Sequence, residues 1–324
     1  VANVAVAWTL VHAAQLARGL KSTLRPPSCI LKWVPAQGNE MSPHQPTSVA
    51  GALRLFRLAD IAVYVHWSWL VFAFVELRFR TNSYDMQIWS VVEYLSLFGI
   101  VLLHEFGHAL ACRQVGGRAD QIVLWPLGGI AYVQPPARPG AWLWSIAAGP
   151  LVNLVLIAPT FAIWIWASSV DWGEENRDLH QFIFALFVIN LGLFIFNMLP
   201  IYPLDGGQIL QSLLWFVIGR ARSLRIASMI GLVGVAGFVA LAVWARDWWI
   251  GVIAVFAGLR CWAGMRQANV LAQMEQAPRH QGATCPACEA APPVGPFWQC
   301  PACRIAFDTF VHMAICPICG TRFP

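Results

Sequence analysis

The chain has 324 residues, 58% of them hydrophobic and 11% charged, where a soluble domain carries about a quarter charged residues. A soluble enzyme, a disordered tail and a disulfide-stapled secreted module all fit poorly, and seventeen Trp and nineteen Phe suit a chain whose solvent is partly lipid. The net charge of +5 is small and the arginines stand singly between apolar runs, so no nucleic-acid partner is expected.

In chain order, residues 1–52 read as an extension and linker. Val1–Leu20 is moderately apolar but interrupted by His12, Gln15 and Arg18, and Ser22–Pro46 is rich in Pro and polar residues. An upstream translation artefact, a targeting segment and an extra helix all remain open for it, with Met41 standing just before the organised part. Crossing about 30 Å of hydrocarbon takes roughly 20 apolar helical residues. Six runs meet or approach that length: 61–77, 86–113, 141–170, 179–219, 226–245 and 248–267. The fourth should be a broken helix, because Pro200, Pro203, Gly206 and Gly207 fall within eight residues. Between the second and third, Gln121–Gln134 carries β-branched residues on both sides of a Pro-Leu-Gly-Gly turn and predicts a short hairpin. His66, among Trp67 and Trp69, reads as an interfacial histidine.

Basic residues orient the bundle. With the N-terminal side of the first span in the cytoplasm, Arg54, Arg57, Arg113, Arg118, Arg138, Arg220, Arg222, Arg225, Arg266 and Arg279 lie inside, against Arg78, Arg80, Arg177 and Arg246 outside. That asymmetry follows the positive-inside rule and puts both ends of the core in the cytoplasm.

Charge inside a membrane is costly, so an ionisable residue there is a functional candidate. His104 and His108 lie one helical turn apart on one face, where both can reach one ion, and Glu105 stands where HExxH metallopeptidases place a general base. The competing reading is a buried His pair hydrogen-bonded to a Glu. Two imidazoles leave zinc one protein ligand short of a catalytic set, and Asp205, in the break of the fourth run, is the obvious third. The alternative for Asp205 is a protonated acid bracing the broken helix.

Several ordered motifs now converge. His104–His108 as HExxH, Gly149–Asn153 as GPxxN, Asn197–Gly207 as NxxPxxPLDGG, and the Pro126–Gly129 hairpin turn make the chain resemble the site-2 protease family of intramembrane zinc metalloproteases over roughly residues 53–267. The resemblance implies His104, His108 and Asp205 on Zn2+, Glu105 as general base and acid, and Asn153 and Asn197 near the substrate, with Asn153 a candidate oxyanion donor or else an interhelical hydrogen bond. It further implies a transmembrane protein as substrate and regulated intramembrane proteolysis as the activity. The hairpin either clamps an unwound substrate strand or only plugs the bundle.

The tail carries six of the nine cysteines as three CPxC knuckles, Cys285/Cys288, Cys300/Cys303 and Cys316/Cys319. Cys300, Cys303, Cys316 and Cys319 have the spacing of a structural zinc site and resemble a zinc ribbon, with a hairpin expected through Phe307–Phe310. Cys285 and Cys288 could pair with Cys300 and Cys303 or help hold a second ion, and a reducing cytoplasm disfavours disulfides. The ribbon either binds a protein partner or caps the bundle.

The expected fold is an all-α polytopic membrane protein, with a six-transmembrane-helix core, a small membrane-associated β-hairpin and a small C-terminal zinc ribbon. Its domains are 1–52, 53–273 and 274–324. The expected activity is a zinc metalloendopeptidase of the bilayer, in the cell (inner) membrane of a prokaryote. A catalytically silent membrane scaffold that binds clients through the same groove is the alternative, and a metal transporter is disfavoured because the polar groups converge at one depth.

Overall fold

The computed structural model describes residues 51–71, 84–125, 128–170, 176–282, 284 and 291–322. The chain divides into two compact units, one over Gln45–Asn269 and one that includes Val270–Pro324. Residues 1–50 of the N-terminal extension, Pro126-Leu127 of the hairpin turn, residues 171–175, and Cys285 and Cys288 all lie outside the described residues.

The larger unit is mostly helical. It contains β1 (Ala52–Leu58), β2 (Ile61–His66), α1 (Gln87–Gln114), β3 (Arg118–Trp125), β4 (Gly128–Gln134), α2 (Pro139–Ser169), α3 (Arg177–Met198), α4 (Asp205–Ile218) and α5 (Arg220–Ala245), and α6 (Trp248–Gln276) continues past its end. Among the described residues, four helices, α1, α2, α3 and α5, are long and apolar enough to cross a membrane. Their burial pattern is inverted relative to a soluble bundle: Asn153, Asn190, Ser145, Ser223 and Ser228 are buried, while Val155, Val233 and Val243 face outward. Lipid is the solvent such a surface fits. The four helices make this a multi-pass membrane protein.

Two expectations need correction. The apolar run 61–77 is not one helix, because Ile61–His66 is strand β2 and helix begins only at Ser68, with residues 72–83 outside the described set. Its Ile-Ala-Val-Tyr-Val-His alternation has period two, and the inward Ile61 and Val63 are fully buried. The hairpin is correspondingly part of a larger sheet of order β1-β2-β3-β4, with β2 and β3 parallel and the outer pairs antiparallel. Parallel pairing requires a long crossover, and α1 supplies it. One sheet face, built from Ile61, Val63, Ile122 and Leu124, packs on Val101, Phe106, Ala109 and Cys112 of α1. The fold is therefore not all-α. The last run forms a single helix, α6, but Arg260, Arg266 and Glu275 keep it less apolar than the other four.

The break in the fourth run is where the sequence put it: α3 stops at Met198 and α4 starts at Asp205. α2 is the hub, touching α1, α3 and α4, and α4 packs in turn on α5.

In the smaller unit, β5 (Trp298–Gln299) pairs antiparallel with β6 (Ala306–Phe307). The hairpin expected through Phe307–Phe310 is absent. The Asp308 carboxylate accepts hydrogen bonds from the Phe310 and Val311 N–H groups, which closes a turn there instead.

Candidate metal centre

His104 lies ten residues before the end of α1, about 15 Å along the helix at 1.5 Å per residue. His108 follows one turn later on the same face. The opposing helix α2 presents Gly149 there, and a Cβ on Gly149 would lie 2.8 Å from His104 Nε2 and would strike the His108 ring. The absent side chain is what lets the two rings turn toward each other, with centroids 4.7 Å apart and planes at 85°. Asp205 arrives from the first residue of α4, immediately after the break.

The three side chains meet. The two Nε2 atoms are 3.0 Å apart, and Asp205 Oδ2 lies 3.0 Å from His104 Nε2 and 3.3 Å from His108 Nε2. Each residue is less than one-tenth exposed. Asp205 Oδ2 is buried and accepts no hydrogen bond even at these distances. On the far side of the His108 ring, Nδ1 is 2.9 Å from the Ser145 carbonyl oxygen. A carbonyl can only accept, so Nδ1 carries the proton and Nε2 offers a lone pair. Two imidazole nitrogens and a carboxylate oxygen converging this closely suit a cation. A tetrahedral zinc site with bonds of about 2.0–2.1 Å keeps its ligand atoms roughly 3.3 Å apart, so this triangle fits such an ion.

Glu105 points to the side. Its Oε2 accepts a 2.8 Å hydrogen bond from the Ala131 N–H of β4, and Gly129 of the same strand is pressed against the carboxylate. Asn153 of α2 is fully buried with its Oδ1 2.5 Å from His104 Nδ1. Its Nδ2 donates to Asn190 Oδ1 at 2.7 Å. The amide expected to donate to an oxyanion is thus already engaged between a ligand and a neighbouring helix. Asn197 is half-buried in the last turn of α3 and makes no hydrogen bond to the cluster among the described residues. Sequence reasoning missed Asn190, although an Asn inside the uncharged run Leu179–Leu204 carries the desolvation cost that drew attention to His104.

The smaller unit holds a second cluster of Cys300, Cys303, Cys316 and Cys319, with Sγ separations of 3.4 Å for Cys300–Cys319 and 3.5 Å for Cys303–Cys316. The two knuckles repeat one backbone pattern. Arg304 N–H donates to Cys300 O and Gly320 N–H to Cys316 O, while Cys300 N–H and Cys316 N–H donate to Ile305 O and Thr321 O. The Thr321 hydroxyl and N–H pull the Cys319 thiol down to about 6. The Ile305 N–H lowers Cys303, but burial and the neighbouring sulfurs push it up to about 12. Four sulfurs gathered this closely suit a cation that would replace the thiol protons.

Comparison with known proteins bears on the larger unit. The profile of peptidase family M50 matches residues 93–176 and 171–241. Zinc metalloprotease MJ0392 of Methanocaldococcus jannaschii is 31% identical over 56% of this chain and 50% of its own length. Putative zinc metalloprotease sll0528 of Synechocystis is 28% identical over 69% and 62%, and stage IV sporulation protein FB of Bacillus subtilis is 39% identical over 36% and 38%. The chain thus spans at most 62% of the length of these relatives. A solved site-2 protease from Methanocaldococcus jannaschii superposes with a TM-score of 0.48 at 21% identity, over 66% of this chain and 95% of that one.

Proposed function

We propose, from the match of residues 93–241 to peptidase family M50, an intramembrane zinc endopeptidase that cuts peptide bonds in or beside the transmembrane helices of membrane-anchored substrates. The observation that carries the reading is the meeting of His104, His108 and Asp205 Oδ2 within 3.3 Å, inside an apolar bundle, with Glu105 next to the first ligand. Bound there, zinc supplies the Lewis acidity that makes water nucleophilic near neutral pH. Glu105 takes a proton from that water at a carboxylate oxygen and returns it to the leaving amine. The Ala131 N–H fixes the direction in which the carboxylate works.

A helical substrate hides its carbonyls in its own hydrogen-bond ladder and must unwind to be cut. Strand β4 is an edge of the sheet and carries the N–H that holds Glu105, so adding the unwound segment to that edge would bring a carbonyl to the base. Asn197, at the exit of α3, is proposed to contact the substrate. The same reading puts the multi-pass core in a prokaryotic inner membrane with both core ends and the tail in the cytoplasm. The cysteine cluster then holds a second, structural zinc in a ribbon open to a protein partner.

Purified wild type and Glu105→Gln, assayed on a synthetic transmembrane substrate, test the reading. Wild type is expected to cleave, and the variant to lose cleavage while its zinc content is unchanged. Cleavage surviving in Glu105→Gln would remove Glu105 as the base.

A further inference from the structure

His104 can ligate through Nε2 only if its proton sits on Nδ1, and the residue that could enforce this is one helix further away than its direct partner. Asn190 of α3 is fully buried, and so is Asn153 of α2. Asn190 Nδ2 lies 2.9 Å from the main-chain carbonyl oxygen of Asn153. A carbonyl oxygen only accepts, so the NH2 end of Asn190 must point there. Its Oδ1 then faces Asn153 Nδ2 at 2.7 Å, which turns the Asn153 Oδ1 toward His104 Nδ1 at 2.5 Å. An amide oxygen at that place accepts, so His104 carries Nδ1–H and turns a lone pair toward His108 and Asp205. With the Asn153 amide flipped, its NH2 would face Nδ1 and favour the other tautomer, which has no lone pair at Nε2.

We infer that Asn190 is a positioning residue for the metal centre, fixing the amide orientation of Asn153 and through it the tautomer of His104. It rests on the zinc reading above and goes beyond it, because Asn190 touches neither the ion nor the substrate. The chain of polarity starts at a backbone carbonyl, which has no second orientation, and crosses α3, α2 and α1. His108 needs no such chain, since its own Nδ1 meets the Ser145 carbonyl directly. The centre therefore has one imidazole set by main chain and one set by two side chains, and the second is open to single substitutions far from the ion.

The experiment uses the full chain in detergent, equilibrated in zinc buffers spanning several decades of free zinc. The zinc at the membrane centre is the part that Asp205→Ala removes. Outer partners of metal-bound histidines are worth about 10- to 100-fold in affinity, so Asn190→Leu is expected to weaken that zinc by this factor and leave zinc bound elsewhere unchanged. Asn190→Asp, neutral at this depth, offers the same acceptor and donor and is expected to restore affinity to within about threefold of wild type on that equivalence. Where Asn190→Leu does not fold, Asn190→Ala leaves room for water and carries the same expected loss. Unchanged zinc affinity in a folded Leu or Ala variant overturns the inference, as does failure of Asp to restore it. An Asp205→Ala chain that keeps all its zinc overturns the metal reading itself, which is a different result.

Discussion

Two glycines sit against different halves of the chemistry, and they separate metal binding from proton transfer. A Cβ on Gly149 would invade the space between the two imidazoles, with His104 Nε2 2.8 Å away. A Cβ on Gly129 would instead lie 2.6 Å from Glu105 Cδ and Oε1. Contacts under 3 Å with a packed side chain force movement, and interiors this dense pass such movement to whatever lies behind. Gly149→Ala is therefore expected to lower zinc at the membrane centre by an order of magnitude or more, roughly what losing correct ligand orientation costs. Gly129→Ala is expected to keep its zinc and lose turnover, because the base moves and the ligands do not. Gly99→Ala in α1, where a Cβ would meet nothing within 4 Å, is the control for a helix glycine and should change neither. Measuring bound zinc and cleavage rate on all three distinguishes the cases. Equal loss of zinc in both site variants would show that Glu105 and the ligands move as one body.

At the scale of elements, the break between α3 and α4 decides whether Asp205 reaches the rings. The chain turns through Pro200–Leu204 and re-enters helix at Asp205, with Gly206 and Gly207 packed onto it. Cβ atoms there would lie 2.5 Å from Leu199 O and 2.8 Å from Ile201 O respectively, and backbone atoms cannot rotate away as a flexible side chain can. Gly206→Ala and Gly207→Ala should each open the turn and lower zinc at the centre, whereas Gly192→Ala in α3, with open space around it, should not. The same zinc titration reads the difference. This break was legible in the sequence because Pro and Gly act locally, and the cluster of His104, His108 and Asp205 was legible because charge among apolar residues is costly wherever the helix goes. Strand β2 was not. An apolar run of β-branched residues suits a helix in lipid and a strand in a covered sheet alike, and only pairing with β3, more than fifty residues away, separates them. Asn153 showed the opposite failure: its motif was readable, but its hydrogen bonds to His104 and Asn190 were not, because Asn190 belongs to no motif.

For the whole molecule, the two clusters differ in chemistry as well as in place. The membrane centre offers two imidazole nitrogens and one carboxylate oxygen, which is the three-ligand set that leaves a coordination position open for reaction. The cysteine cluster offers four sulfurs, the number with which structural zinc sites close a tetrahedron. They also belong to different compact units. Sites without shared ligands are expected to lose their ions additively. Asp205→Ala should then remove one equivalent of zinc per chain, Cys316→Ala one other, and the double variant both. Cleavage should vanish with Asp205→Ala and survive in Cys316→Ala on a substrate without a cytoplasmic domain, since the tail supplies none of the reacting groups. Zinc counted per chain by elemental analysis, alongside the cleavage rate, checks each arm. Loss of both ions from either single variant would mean that the tail's fold and the membrane centre are linked, and that the cysteine cluster regulates the protease rather than only accompanying it.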